Sequence, residues 1–197
     1  WNTITQQLSS PIRFAVLGDP VAHSASPPMH NAALNALGIN ALYTRLHIHP
    51  DELEETLYLL PKLGFSGFNL TIPHKTNVLP LLHHISPQAK NFGAVNTVNV
   101  QNGSLHGSNT DGEGLSRAIL ADFQIPLGTQ HVLILGAGGG AGRTIAIQCA
   151  IAGCHSITLA NRSIEKIQTL SKELQASATN PLTRVNITGM SPDALAQ

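Results

Sequence analysis

Polar side chains that could bind a small molecule and transfer a proton follow the third predicted strand of the sequence. The segment 69–75 (NLTIPHK) ends that strand, and a side-chain period of two places Asn69 and Thr71 on the same face. Lys75 opens the next predicted helix, where its amine could transfer a proton to or from a substrate. A solvated surface lysine is the alternative interpretation.

Two serines follow the first predicted strand, in the segment 23–27 (HSASP). Hydroxyl groups beside the N–H groups of a helix N-terminus could hold a carboxylate. Ser26 also has a simpler interpretation as the N-cap of a helix with Pro27 at its first position. That interpretation does not account for Ser24.

Two further polar turns contain Asn96 and Asp111, in the segments 93–97 (GAVNT) and 107–112 (GSNTDG). The carboxylate of Asp111 could bind a substrate at this point. The alternative is an Asx turn, or a cap for a helix that starts near Glu113.

The segment 136–142 (GAGGGAG) follows a predicted strand and precedes a predicted helix. Read as G-x-G-x-x-A, it allows a tight turn and a close approach of the backbone to a pyrophosphate, at which the N–H groups of the helix point. This position within a βαβ unit favours dinucleotide binding over a plain turn. The predicted cofactor-binding residues here are Gly136, Ala137, Gly138, Gly139, Gly140 and Ala141.

The end of the next predicted strand indicates which dinucleotide is bound. An NAD site has a carboxylate there for the ribose 2′-hydroxyl, but this sequence has Asn161, Arg162 and Ser163, with Lys166 one turn later. A guanidinium suits a phosphate, so the pattern favours NADP(H). The alternative is a solvated arginine followed by a serine that serves only as an N-cap.

Apolar strand-like runs alternate with helix-like segments, which predicts an α/β protein with parallel strands and right-handed crossovers. We expect a substrate-binding α/β domain over residues 1–112, a linking helix and connection over 113–128, and an incomplete Rossmann-like NADP-binding domain over 129–197. The predicted strands are Ile12–Leu17, Ala41–Ile48, Gly67–Ile72, Val95–Val100, Ser104–Gly107, His131–Leu135, Ser156–Ala160 and Leu182–Ile187. The predicted helices are Pro27–Leu37, Pro50–Leu63, Lys75–His83, Glu113–Phe123, Ala141–Ala152 and Ser163–Gln175.

The composition excludes several classes of protein. Apolar residues make up 42% of the 197, enough for a packed core, and 11 basic residues balance 11 acidic ones, which leaves no electrostatic signature of nucleic-acid or membrane binding. Two cysteines cannot form a disulfide framework and favour a reducing compartment. Residues 1–11 do not resemble a signal peptide, the glycines within Val132–Cys154 argue against a spanning helix, and the ten histidines lack the spacing of a metal site.

Six motifs, in this order, resemble the shikimate dehydrogenase family, which includes quinate/shikimate dehydrogenases. They are HSASPPMHN (23–31), GFNLTIPHK (67–75), GAVNT (93–97), GSNTDGEG (107–114), GAGGGAG (136–142) and NRS (161–163). The resemblance implies an oxidoreductase that reversibly reduces 3-dehydroshikimate to shikimate with NADPH, in aromatic amino-acid and chorismate biosynthesis. It implies a cytoplasmic location, or a plastid location if a transit segment has been removed, and leaves a homodimer open.

The resemblance also implies a role for each matching residue. Lys75 would be the catalytic acid/base, partnered by Asp111. Ser24 and Ser26 would hold the substrate carboxylate, and the ring hydroxyls would be bound by Asn69, Thr71, Asn96 and Asp111. The pyrophosphate would lie on Gly136–Ala141, and the adenosine 2′-phosphate would be bound by Asn161, Arg162, Ser163 and Lys166.

The family normally continues well beyond residue 197, so we expect the chain to be incomplete at its C-terminus. Two alternatives remain open. One is the quinate/shikimate dehydrogenase domain of a bifunctional enzyme. The other is a non-catalytic regulator that binds shikimate or quinate, against which Lys75 and Asp111 together argue, because a sensor needs no proton-transfer pair.

Overall fold

The structure is a computed structural model that describes residues 11–177, 180 and 183–190. These residues form two compact units. The first unit comprises residues 11–89 and 95–108, and the second comprises residues 90–94 together with the described residues from 109 onward. The sequence instead placed a division near residue 112 and treated 113–128 as a link.

The first unit is built on a six-stranded mixed sheet. Its strands are β1 (Ile12–Gly18), β2 (Ala41–His47), β3 (Phe65–Leu70), β4 (His84–Ile85), β5 (Thr97–Gln101) and β6 (Ser104–Ser108), in the spatial order β2-β1-β3-β5-β6-β4. The strands β1, β2 and β3 are parallel, whereas β5 is antiparallel to β3. The start of β5 therefore lies at the same edge of the sheet as the carboxyl ends of β1, β2 and β3.

Helices cover both faces of this sheet. Four helices belong to this part of the chain: α1 (Ser26–Ala36), α2 (Leu53–Lys62), the one-turn α3 (His74–Asn77) and α4 (Pro87–Phe92). Strand residues alternate between two clusters, as the period of two requires. Leu17 and Phe68 pack with Leu57 of α2 on one face, and Val16 and Tyr43 pack with α1 on the other.

The second unit contains a three-stranded parallel sheet in the order β7-β8-β9. Its elements are α5 (Asp111–Phe123), β7 (His131–Leu135), α6 (Gly140–Ala152), β8 (Ser156–Ala160), α7 (Ile164–Ser177) and β9 (Arg184–Thr188). Buried residues of α6, α7 and β8, among them Ile147, Ile157 and Leu170, form its core. Helix α5 packs against α6, so the predicted linking helix is part of this unit.

The α/β class and the Rossmann-like unit are confirmed, and β7 and β8 have the predicted bounds. The single predicted helix Lys75–His83 is wrong: a 3-10 turn at Leu79–Leu81 follows α3, and Pro80 within it cannot continue an α-helix. Strand β4 and helix α4 were not predicted. The predicted start of the last strand, Leu182, lies outside the described residues. Within the described part of the chain, no helix is long and apolar enough to cross a membrane.

Candidate active site

Three polar side chains join at the edge of the first sheet where β3 ends and β5 begins. Asn69 pairs with Thr97 across these antiparallel strands. Asn69 Nδ2 donates to Thr97 Oγ1 at 3.0 Å and to the backbone carbonyl of Asn96 at 3.2 Å. The Thr97 hydroxyl donates in turn to Asn96 Oδ1 at 2.9 Å. The structure therefore brings together two predicted substrate-binding residues, Asn69 and Asn96.

Tyr43 of β2 approaches the same group from the other side of β1. Its hydroxyl donates to Asn69 Oδ1 at 2.7 Å, and its side chain is buried, with only 5% exposed. Burial raises the pKa of Tyr43 to about 12. The phenol is therefore neutral and remains a hydrogen-bond donor across the physiological range.

The loop after β1 carries the two predicted carboxylate-binding serines. The N-cap of helix α1 is Ala25, with Ser26 as the first helical residue, so the alternative interpretation of Ser26 as the N-cap is wrong. Ser24 Oγ instead accepts a bond from the Ser26 N–H at 3.3 Å, and Arg45 Nε of β2 donates to the Ser24 carbonyl at 2.9 Å. Ser24 thus binds the start of α1 and is itself held by the neighbouring strand.

A second contact with β2 anchors the beginning of that loop. Asp19 Oδ1 lies 2.6 Å from His47 Nε2, and this hydrogen bond lowers the pKa of Asp19. Arg45 and His47 are two residues apart and so lie on the same face of β2. One face of the edge strand therefore holds the loop at two points.

Lys75 and Thr71 follow β3 in the same region of the first unit. Thr71 lies just beyond the strand, and its N–H donates to the Leu17 carbonyl of β1 at 2.9 Å. The Lys75 carbonyl accepts a bond from the Val95 N–H at 2.8 Å. That bond joins α3 to the segment that leads into Asn96.

Asp111 is the first residue of α5 in the second unit. Its backbone N–H donates to Asn109 Oδ1 at 2.9 Å, and Asn109 Nδ2 donates to the Ala94 carbonyl at 3.0 Å. Asn109 therefore forms the Asx turn at this helix start, which was the alternative interpretation for Asp111. The helix also begins two residues earlier than Glu113.

The predicted dinucleotide turn has the geometry of a tight strand-to-helix connection. Gly136 has φ +77°, and its N–H donates to the Ala160 carbonyl of β8 at 2.8 Å. A Cβ atom on Gly142 would lie 2.5 Å from the Gly136 carbonyl oxygen and 2.8 Å from Ala137 Cα. Close packing of helix on strand thus requires glycine at 142, whereas Ala141 is exposed.

The segment after β8 lies against this turn. Asn161 Oδ1 accepts from the Gly138 N–H at 3.4 Å, and Asn161 Nδ2 donates to the Ser163 carbonyl at 2.9 Å. A Cβ atom on Gly138 would lie 3.1 Å from Lys166 Cβ. Arg162, Ser163 and Lys166 are exposed. Asn161 links the start of this segment to the turn at Gly136–Gly142, which we call the glycine turn.

Sequence reasoning missed four residues that shape these sites: Tyr43, Arg45, Thr97 and Gly142. Thr97 was within a quoted motif, and its pairing with Asn69 follows from the antiparallel register. Tyr43 and Arg45 gave no signal of their own, because their contacts depend on strand order. Gly142 could have been found by lengthening the spacing after Gly138 by one residue, which gives G-x-G-x-x-x-G over 136–142.

The two cysteines and the possible metal ligands do not form a further site in the described part of the chain. Cys149 and Cys154 are buried and unpaired, and burial raises the pKa of both, that of Cys149 to about 12, which makes them poor nucleophiles. Within residues 11–177, 180 and 183–190, no three His, Cys, Asp or Glu side chains are grouped to hold a metal ion.

Comparison with protein families identifies both units. The model for the shikimate dehydrogenase substrate binding domain matches residues 16–98, and the model for shikimate / quinate 5-dehydrogenase matches residues 119–191. Together these matches span both units and include most of the residues described above in each.

Individual proteins agree with this assignment. Shikimate dehydrogenase (NADP(+)) of Geobacter metallireducens is 43% identical over 160 residues, which are 81% of this chain and 56% of that protein. The chain thus spans about half the length of this curated relative. A 5-ketofructose reductase of Gluconobacter sp. strain CHM43 has a TM-score of 0.82 at 29% identity over 92% of this chain and 63% of its own.

A further solved structure is matched over more than two thirds of its own chain. Shikimate 5-dehydrogenase of Thermus thermophilus, solved in complex with NADP(H) and shikimate, has a TM-score of 0.79 and 36% identity, covering 91% of this chain and 68% of that one. With both family matches, this similarity shows that the chain belongs to the shikimate dehydrogenase family.

Proposed function

We propose that this chain carries the substrate- and cofactor-binding residues of an enzyme that reversibly reduces 3-dehydroshikimate to shikimate with NADPH. The observation that carries this proposal is the hydrogen-bonded group of Asn69, Thr97 and Asn96, joined through the backbone to Lys75. Amides and hydroxyls fixed in this way suit a polyhydroxylated ring, and a nearby lysine suits proton exchange at one of its oxygens.

The substrate would be held at both of its polar ends. Ser24 and Ser26 lie at the start of α1, where hydroxyl and N–H groups favour a carboxylate. Asn69, Thr71 and Asn96 would bind the ring hydroxyls. Because both Nδ2 hydrogens of Asn69 are used within the protein, Asn69 would contact the substrate through Oδ1, as an acceptor.

Lys75 would hold or release the proton at the reacting oxygen. In the direction of reduction, its ammonium donates a proton to the oxygen that becomes the new hydroxyl, and in the other direction its amine accepts that proton. Asp111 would accept a hydrogen bond from the same hydroxyl and so orient it. The chemistry that NADPH supplies when bound is delivery of hydride to the carbonyl carbon.

The residues of the second unit fit NADP(H). The exposed Gly140 at the start of α6 offers a backbone N–H group without a side chain in the way of a pyrophosphate, whereas the Gly139 N–H donates to the Gly136 carbonyl at 3.0 Å and so shapes the turn. Arg162, Ser163 and Lys166 would bind the adenosine 2′-phosphate. Asn161 would hold this segment against the glycine turn rather than serve mainly as a phosphate ligand. The two unpaired cysteines fit a reducing compartment such as the cytoplasm.

The proposal is tested by NADPH oxidation in the presence of 3-dehydroshikimate, followed by the loss of NADPH absorbance. The chain should oxidise NADPH only with this substrate, and Lys75→Ala should lower kcat by about 100-fold or more, the range of general acid–base catalysis. Lys62→Ala is the matched control, because Lys62 lies over the ring of Tyr58 on α2 and should leave kcat unchanged. The proposal fails if shikimate neither turns over nor binds.

Quinate is the second candidate substrate, because the family model for the second unit is described as shikimate / quinate 5-dehydrogenase. Quinate carries one more hydroxyl on the carbon that bears the carboxylate, so the region around Ser24 decides between the two acids. The ratio of kcat/KM for shikimate and quinate measured with NADP+ distinguishes them, and we expect it to favour shikimate.

A further inference from the structure

We propose that Tyr43 is a positioning residue that fixes the carboxamide of Asn69, and through Thr97 that of Asn96, in the orientation that receives the substrate. This inference rests on the proposed function for the contact between these amides and a substrate. The hydrogen-bonded chain itself is independent of that function. No motif that pointed to the family contains Tyr43, which lies on β2.

The orientation of Asn69 follows from its neighbours. A backbone carbonyl can only accept hydrogen bonds, so the atom of Asn69 that faces the Asn96 carbonyl at 3.2 Å must be the nitrogen Nδ2. Oδ1 then faces Tyr43, and the phenol must donate. If the amide were reversed, Asn69 Oδ1 would face the Asn96 carbonyl oxygen, and the Tyr43 hydroxyl would face an N–H group.

The same direction continues through Thr97. Its Oγ1 accepts from Asn69 Nδ2, so the hydroxyl hydrogen is available to Asn96 Oδ1 at 2.9 Å. Each donor in the sequence Tyr43, Asn69, Thr97 thus has an acceptor in the next residue. Removing the first donor leaves Asn69 Oδ1 without this partner in a half-buried position, so the amide keeps its Nδ2 bonds but is held less tightly.

Tyr43 is held rigidly enough for this role. Its backbone N–H donates to Asn31 Oδ1 and its carbonyl accepts from Asn31 Nδ2, both at 2.9 Å. The ring of His30 stacks on its ring at a centroid distance of 4.3 Å and an interplanar angle of 15°. His30 and Asn31 both belong to α1, the helix that begins at the two serines, so one helix positions the phenol and presents the serines.

The substitution Tyr43→Phe tests the inference because it removes only the hydroxyl group and keeps the stacked ring. The chain has two tyrosines, and Tyr58, exposed on α2, supplies the control Tyr58→Phe. We expect Tyr43→Phe to lower kcat/KM for 3-dehydroshikimate by about tenfold, mainly through KM, with KM for NADPH unchanged. Equal kcat/KM in the two variants of an active enzyme would overturn the inference.

A second measurement does not depend on turnover. In protein labelled with ¹⁵N-asparagine, we expect the side-chain amide hydrogens of Asn69 to exchange slowly with solvent, and Tyr43→Phe to accelerate this exchange by about tenfold, unlike Tyr58→Phe. Unchanged exchange in Tyr43→Phe would overturn the inference, whether or not the chain is active. Accelerated exchange in a chain that does not bind shikimate would support the hydrogen-bonded chain, reject its link to substrate and count against the proposed function.

Discussion

The buried phenol of Tyr43 gives the stability of the protein a dependence on alkaline pH. Its pKa is raised from 10.0 to about 12. A group with a raised folded-state pKa contributes stability that is present below the unfolded pKa and lost as the pH rises toward the folded value. The contribution from Tyr43 should therefore be complete below pH 10 and fall away between about 10 and 12.

This prediction is checked by urea unfolding of the native chain and of Tyr43→Phe across the alkaline range that spans both pKa values. The free energy of unfolding should fall more steeply above pH 10 in the native chain than in the variant, because Tyr58 and the cysteines are common to both. Parallel curves would show that the phenol ionises as freely in the folded state as in the unfolded one.

Arg162 should determine the preference between the two dinucleotides. Its exposed guanidinium follows β8, at the carboxyl edge of the second sheet, next to the segment tied to the glycine turn by Asn161. Arg162→Gln should raise Kd for NADP+ by about tenfold or more, the size of a charge-assisted hydrogen bond, and leave Kd for NAD+ unchanged. Fluorescence titration measures both constants.

The control for this substitution is Arg184→Gln, because Arg184 is also exposed but begins β9 at the opposite edge of the same sheet. The control should keep the native preference for NADP+. A loss of NADP+ affinity in both variants would indicate a general effect of charge. It would contradict a specific role for Arg162 in binding the 2′-phosphate.

Among the elements, the connection between β7 and α6 makes a strict demand on residue type. A Cβ atom at Gly142 would meet the backbone of Gly136 and Ala137 at 2.5–3.0 Å, whereas one at Gly140 would meet nothing within 4 Å. Both glycines are within α6, so helix propensity favours alanine at each by a similar amount, about 1 kcal/mol.

Only the packing differs between the two positions, so the two alanine variants should change stability in opposite directions. We expect Gly142→Ala to destabilise the chain by about 1–3 kcal/mol, the usual cost of overpacking. Gly140→Ala should be neutral or stabilising. Denaturant unfolding of the two variants measures the difference, and equal changes would show that the turn relaxes without strain.

The elements also show where sequence reasoning succeeds and where it does not. Strands β7 and β8 were predicted with their observed bounds because short runs rich in apolar and β-branched residues are bounded by turn residues. Strand β4 has two residues and exists only because it pairs with β6, a contact that no local pattern encodes. The motifs identified Asn69 and Asn96 as candidate binding residues. The orientation of their side chains depends on Tyr43, and the strand order β2-β1-β3 brings Tyr43 near them.

At the scale of the whole molecule, ligands that bind only the folded chain must stabilise it. Shikimate at about 100 times its Kd should raise the free energy of unfolding by about 2.7 kcal/mol. Ser24→Ala should remove most of this gain, because the loop after β1 that carries Ser24 and Ser26 (the serine loop) would hold the carboxylate. The same substitution should leave the stabilisation by NADP+ intact.

Thermal unfolding with each ligand separately measures these effects. Ser66→Ala is the matched control, because Ser66 is exposed on β3 near the amino end of that strand, away from the serine loop. Full shikimate stabilisation in Ser24→Ala would place the carboxylate elsewhere.

The central claim is that Lys75 and Asp111 act on one hydroxyl of the substrate, and a double-mutant cycle on kcat/KM tests it most directly. The variants are Lys75→Ala, Asp111→Asn and their combination, with Asp122→Asn of the same helix α5 as the control. We predict that each single substitution lowers kcat/KM by at least about 100-fold, and that the double variant loses little more than the worse single one, because residues that act as a unit are not additive. Losses that multiply, or an Asp111→Asn enzyme as active as Asp122→Asn, would contradict the claim.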